Sequence, residues 1–133
     1  MKMNVFLASA VLLASCAMSA GAENAKKITA EQGKKMVGGK EKIVLVDVRR
    51  LDEYEAGHIA SAILIPNESI SNKKPVELPD LNAKIIVYCR SGRRSANAAE
   101  KLVAMGYANV FDMGGIIDWP YGVVKGSTPG DFK

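Results

Sequence analysis

The sequence predicts an α/β fold: a central, mostly parallel sheet with helices on both faces. Three observations carry this. Ile43–Val48, Ala62–Ile65 and Lys84–Cys89 are short, β-branched apolar runs without polar alternation, as expected of strands covered on both sides. Helix signals lie between and around them. The alternation of strand and helix then favours parallel pairing through right-handed crossovers.

Each element has a local reason. Residues 23–27 form a short polar lead. Thr29 with Gln32 three positions on has capping-box spacing, so a helix begins there and stops at Gly38-Gly39. Ile43–Val48 is the first strand and contains an Asp at position 47. Leu51–Ala56 is a short helical turn ended by Gly57, and Ala62–Ile65 is a strand ended by Pro66. Residues 67–82 are polar, broken by Pro75 and Pro79, and read as loop with a weak helix. Lys84–Cys89 is the clearest strand. Arg94–Met105 is a helix with Ala98, Leu102 and Met105 on one stripe and Gly106 at its end. Asn109–Phe111 is a fourth short strand. Gly114-Gly115 opens a last short helix that runs to Trp119, and residues 126–133 read as a loose tail.

The chain has 133 residues, 48% hydrophobic and 24% charged, which suits one folded domain and excludes a disordered one. The formal net charge of +4 is interspersed, so no nucleic-acid-binding stripe is expected. Two cysteines, Cys16 and Cys89, exclude a disulfide framework.

Residues 1–22 read as an address. One lysine, an apolar run from Val5 to Leu13, and the small residues Ala20-Gly21-Ala22 match a secretory signal peptide. Cleavage after Ala22 leaves a domain of residues 23–133. Leu13-Ala14-Ser15-Cys16 equally resembles a lipoprotein signal that would lipidate Cys16. An uncleaved anchor is disfavoured by the Ser, Gly and Ala content of the second half. Both favoured readings export the domain to the periplasm, with membrane attachment only if Cys16 is lipidated. Cys89 is then the one free thiol, and an unused free thiol is a liability in an oxidising compartment.

The informative segment is Cys89-Arg90-Ser91-Gly92-Arg93-Arg94-Ser95, between a strand and the following helix. Sites in parallel α/β sheets form beyond the carboxyl ends of strands. A loop with a central Gly can curl its N–H groups inward into an anion nest, and the next helix adds its N-terminal dipole. A thiol placed there is readily ionised and nucleophilic. The competing reading is a small buried cysteine beside solvated arginines. Three arginines and a glycine behind one cysteine weigh against it.

The pattern Cys-x-x-Gly-x-Arg-Ser resembles the active-site loop of rhodanese-like domains. Val46-Asp47-Val48-Arg49, then Glu53-Tyr54, Gly57-His58-Ile59 and Ala62, resemble that family's upstream signature. Gly114-Gly115 and Trp119 resemble its close. The likeness runs from about Thr29 to Gly122.

The resemblance implies a single-domain sulfurtransferase that takes sulfur from a small anion such as thiosulfate and gives it to cyanide or a thiol. It implies Cys89 as nucleophile, forming a persulfide in a ping-pong scheme. The amides of Arg90–Ser95 would be the cradle, with Arg90, Ser91, Gly92, Arg93, Arg94 and Ser95 as substrate-binding positions. Arg94 points inward or pairs with an acid such as Asp47, and Ser95 caps the helix and donates to the persulfide.

Asp47 is expected to be structural. Arg49 is expected to pair locally with Glu53 or Asp52, and His58 to bond a neighbouring turn. No His/Cys/Asp cluster has metal spacing, and no cofactor is expected. Gly114-Gly115 is too short for a phosphate loop. A monomer is the default.

Other classes compete. Dual-specificity phosphatases place Arg six positions after the Cys, where this chain has Ser95, so phosphate or arsenate chemistry fits less well. A persulfide carrier in an exported sulfur relay would keep the same loop. An inactive binding copy would be expected to lose the cysteine, which is present.

Overall fold

The structure, a computed structural model, describes residues 24–133. The expected signal segment and Cys16 lie outside the described residues.

Five parallel strands form one sheet: β1 Lys26–Lys27, β2 Ile43–Asp47, β3 Ile63–Leu64, β4 Lys84–Cys89 and β5 Asn109–Gly115. Their spatial order is β1-β5-β4-β2-β3. The central strand β4 pairs Leu45 with Ile86 on one side and Ile86 with Phe111 on the other. Three helices, α1 Ala30–Val37, α2 Leu51–Ala56 and α3 Arg93–Ala104, cover the sheet.

Alternation along the strands divides the core in two. Val46, Ile85, Val87 and Cys89 face the side covered by α3, packing with Ala98, Ala99, Leu102 and Tyr107. Leu45, Ile86 and Tyr88 face the opposite side, with Tyr54 of α2, Ile59, Met113 and Trp119. Each fully buried aliphatic side chain contributes about 1.5–3 kcal/mol. Helices on both faces explain why these strands carry no polar alternation.

α1 begins as its sequence requires. The Thr29 hydroxyl accepts from the Gln32 N–H at 3.1 Å, and the Thr29 N–H donates to Gln32 Oε1 at 2.8 Å. Gly33 allows α1 to approach β5, since a Cβ there would meet the Met113 sulfur at 2.3 Å. α3 starts one residue earlier than expected, after Gly92 in the left-handed region at φ 108°.

Four expectations need correction. The polar lead contains β1, whose two exposed lysines pair with Phe111 and Asp112 through the backbone alone. Such a strand has no hydrophobic signature. Residues 67–82 hold only a 3-10 turn, Asn67–Ser69, and no α-helix. β5 runs through Gly114 and Gly115 instead of ending at Phe111. A 3-10 turn, Ile116–Asp118, follows in place of the expected helix.

Residues 126–133 lack regular structure yet are not loose. The Ser61 N–H donates to the Pro129 carbonyl at 2.9 Å, and Phe132 packs near Trp119.

Candidate active site

β4 delivers Cys89 to the carboxyl edge of the sheet. Its residue is 1% exposed. The chain then turns through Arg90-Ser91-Gly92 into α3. The positive φ of Gly92 aims its N–H back at the sulfur, and it donates to Cys89 Sγ at 3.0 Å. The first N–H groups of α3 have no acceptor within the helix, so its N-terminus adds partial positive charge here. The loop can therefore stabilise a thiolate, or an anion brought to it.

The glycine pair of β5 supports this loop from behind. Cys89 registers with Gly115 across a local irregularity in the β4–β5 pairing. A Cβ on Gly115 would sit 2.1 Å from the Arg90 carbonyl oxygen and 2.7 Å from the Ser91 Cα. The Ile117 N–H donates to the same Arg90 carbonyl at 3.3 Å. Ser95 is buried and does not cap α3. Its hydroxyl donates to the Gly92 carbonyl at 3.1 Å, from inside the first turn.

The three arginines of the loop separate. Arg90 and Arg93 are exposed, and neither forms an ion pair among the described residues. Arg94 is held by Glu53. Its Nη1 donates to Oε1 at 2.7 Å and its Nη2 to Oε2 at 3.0 Å. These bonds hold the Glu53 carboxyl down at about 2. Asp47 is not the partner of Arg94.

Asp47 belongs instead to Arg49. The two form a buried fork, with Arg49 Nη2 donating to Oδ2 at 2.7 Å and Nε to Oδ1 at 3.0 Å. Arg49 Nη2 also donates to the Gly57 carbonyl at 2.7 Å, tying β2 to the end of α2. The pairing of Arg49 with Glu53 or Asp52 does not occur. It is Arg50 that meets Asp52, on the surface at 3.2 Å. Burial, and next the nearby Asp47 charge, push the Tyr88 hydroxyl well above its ordinary range, so it stays neutral and accepts from the Ile59 N–H.

His58 is fully buried and stacks on Tyr54 at 3.7 Å between ring centroids. Its Nδ1 lies 2.9 Å from the Tyr54 carbonyl and its Nε2 lies 2.9 Å from the Thr128 carbonyl. It joins α2 to the C-terminal segment and does not reach the loop's hydrogen bonds. Among the described residues, no cluster of His, Cys, Asp and Glu could hold a metal ion, and no helix is long and apolar enough to cross a membrane.

Sequence reasoning missed two contributors. Glu53 stands in the upstream signature with Arg49 as its expected partner, but nothing local says that its partner is Arg94. A cleft beside Arg90 is lined by Ile116, Ile117 and Val123 among others. The two isoleucines follow the Gly-Gly pair, but only the fold brings Val123 to them.

The profile of the Rhodanese-like domain matches residues 29–120. The chain belongs to the rhodanese-like family. It is 38% identical over 81 residues to the thiosulfate sulfurtransferase PspE of Escherichia coli, covering 61% of this chain and 78% of that one. It is 36% identical over 90 residues to the thiosulfate sulfurtransferase GlpE of Pseudomonas entomophila, covering 68% and 79%. Among solved structures, a rhodanese from E. coli with anions superposes with a TM-score of 0.59 at 36% identity, covering 64% of this chain and all of that one. A rhodanese-like domain protein from Staphylococcus aureus superposes with a TM-score of 0.66 at 31% identity, covering 75% and 97%. This rhodanese-like chain is thus a sulfurtransferase, and the α/β fold is that of its family.

Proposed function

We propose that Cys89 carries sulfane sulfur from thiosulfate, or a similar small anion, to a thiol or cyanide. The observation behind this is the Gly92 N–H donating to the Cys89 sulfur at 3.0 Å, at the N-terminus of α3, beside two exposed arginines.

The chemistry balances without a cofactor. The Cys89 thiolate attacks the outer sulfur of thiosulfate. The S–S bond of the donor breaks, and sulfite leaves with the bonding pair. A persulfide remains on Cys89. The acceptor then attacks the terminal sulfur of that persulfide and takes it, and the thiolate is restored. The Gly92 N–H and the helix terminus stabilise negative charge at sulfur throughout. Arg90 and Arg93 receive the oxygens of the donor, and Arg94 serves the loop through Glu53.

Mass spectrometry after thiosulfate treatment tests this. Wild type gains the mass of one sulfur atom at Cys89, and Cys89→Ser gains none while keeping its fold. Absence of that sulfur on wild type, from thiosulfate and from a small persulfide alike, would overturn the reading. Sulfur gained from a small persulfide but not from thiosulfate would make the chain a carrier fed by another donor.

The leading segment supports export to the periplasm. The mass of the mature N-terminus separates cleavage after Ala22 from lipidation of Cys16.

A further inference from the structure

Arg94 stands out among the cations near Cys89. Among the described residues it alone of the three loop arginines is held in a two-point ion pair, and its partner lies 41 residues away on α2. α2 and α3 cover opposite faces of the sheet, so the pair straps across its carboxyl edge beside β4. Glu53 is placed before it ever meets Arg94. It occupies the third position of α2, where Oε1 accepts from the Arg50 N–H at 3.1 Å and closes that helix's start. The carboxylate is thus fixed by its own helix and presents both oxygens to the guanidinium, the geometry in which Arg pairs bind best.

We propose that Glu53 is a positioning residue of the sulfur-transfer site: it holds Arg94 off the anion cradle and sets the net charge felt at the Cys89 sulfur. The proposal rests on Cys89 being the sulfur-bearing residue. Three arginines crowd the loop, but the clamp removes one from the count. Arg90 and Arg93 are left as two cations without an ion-pair partner among the described residues, and they match a dianionic donor. At the loop's base the Glu53 carboxylate offsets the charge of Arg94 at 2.7 Å and also stands 3.6 Å from Arg50 Nη1.

Electrostatics agree with this placement. Arg94 is raised above its ordinary range chiefly by the bonds to Glu53, and the Cys89 charge adds to that in the same direction. Arg94 is the second residue of α3, which starts directly after the Gly92 that donates to the sulfur, so its charge lies close enough to act there. Freed of Glu53, it would stabilise the thiolate more strongly and make it a poorer nucleophile at a given ionised fraction.

The test is the pH dependence of alkylation at Cys89 in the full chain, with iodoacetamide as probe and peptide mass to locate the label. Glu53→Gln leaves Arg94 uncompensated and moves the alkylation midpoint to lower pH, by about 0.5 unit for one partly screened charge. Arg94→Gln leaves the Glu53 carboxylate with only Arg50 as ion-pair partner among the described residues, Nη1 at 3.6 Å from Oε1, and the loss of one positive charge moves the midpoint to higher pH by a similar amount. The double variant returns close to wild type. A purely mechanical brace would not give opposite shifts that cancel. Shifts in the same direction, or no shift in either variant, would overturn the proposal. If Glu53→Gln does not fold, Arg94→Gln decides alone: an upward shift supports the proposal and an unmoved midpoint overturns it. Alkylation needs no sulfur donor, so these shifts in a chain that takes up no sulfur would sink the sulfur-transfer reading and leave of the proposal only the electrostatic effect of Glu53 and Arg94 on the Cys89 thiol.

Discussion

Gly115 lies so close to Arg90 that a Cβ on the glycine would stand 2.1 Å from the arginine's carbonyl oxygen. The second strand of the site thus supports the cysteine loop by backbone contact, and the contact leaves no room for a methyl group.

Gly115→Ala is therefore expected to displace the loop. The obstacle is backbone, which cannot swing aside as a flexible side chain would. Stability should fall by about 1–3 kcal/mol, the usual cost of overpacking. Sulfur transfer should fall by at least about tenfold, because a displacement of an ångström at a reacting group is costly. Urea denaturation and a thiosulfate assay on the same preparation would show both. Unchanged turnover would mean that the loop is not held by this contact.

The buried fork between Arg49 and Asp47 makes a different prediction. Their side chains are 7% and 0% exposed. Removing Asp47 leaves a guanidinium buried without its counter-charge, and such losses cost about 3–5 kcal/mol. Asp47→Ala should therefore unfold at much lower denaturant. An effect below about 1 kcal/mol would indicate that Arg49 finds water instead.

Glu53 links stability to acid pH. Its carboxyl sits at about 2 in the folded chain against an ordinary 4.5, because Arg94 bonds the charged form. A depressed folded value means the contribution is complete above about 4.5 and is lost as pH falls towards 2. Both side chains are partly exposed, so solvent screening reduces the contribution to about 1–2 kcal/mol. The stability gap between wild type and Glu53→Gln should be widest near neutral pH and close below 4.5. A gap still undiminished once the pH has fallen to about 2 would argue for packing rather than charge.

Arg90 and Arg93 carry the prediction about the donor. Both are exposed, so Arg90→Ala and Arg93→Ala should change stability by no more than about 0.5 kcal/mol. Each should raise KM for thiosulfate several-fold, and added salt should narrow the difference from wild type. Equal KM values at low salt would remove that arginine from the binding site.

Much of the fold was legible because its causes are local. Thr29 and Gln32 cap α1 with their own atoms. The runs at 43–48 and 84–89 have no hydrophilic face, which is the mark of strands covered on both sides. The loop after Cys89 reads as an anion nest because its glycine and the following helix are adjacent in sequence. What failed to show has equally physical causes. β1 is two lysines recruited by the backbone of β5, and no side-chain pattern announces a main-chain contact. The C-terminal segment looks loose in sequence, yet Thr128 and Pro129 offer carbonyls to His58 and Ser61 from about seventy residues away.

The two halves of the site divide the same way. The sequence by itself placed the candidate group: one cysteine at a strand's carboxyl end, a glycine able to turn its N–H back, and arginines within five residues. Only the tertiary structure decided what each charge does. Asp47, Asp52 and Glu53 are all near Arg49 and Arg50 in sequence, and any of them could have met Arg94. Strand order and the entry angle of α2 settle the choice, sending Asp47 to Arg49 and Glu53 to Arg94. A side chain's partner is set by which elements share an edge of the sheet, and that depends on packing across the whole domain.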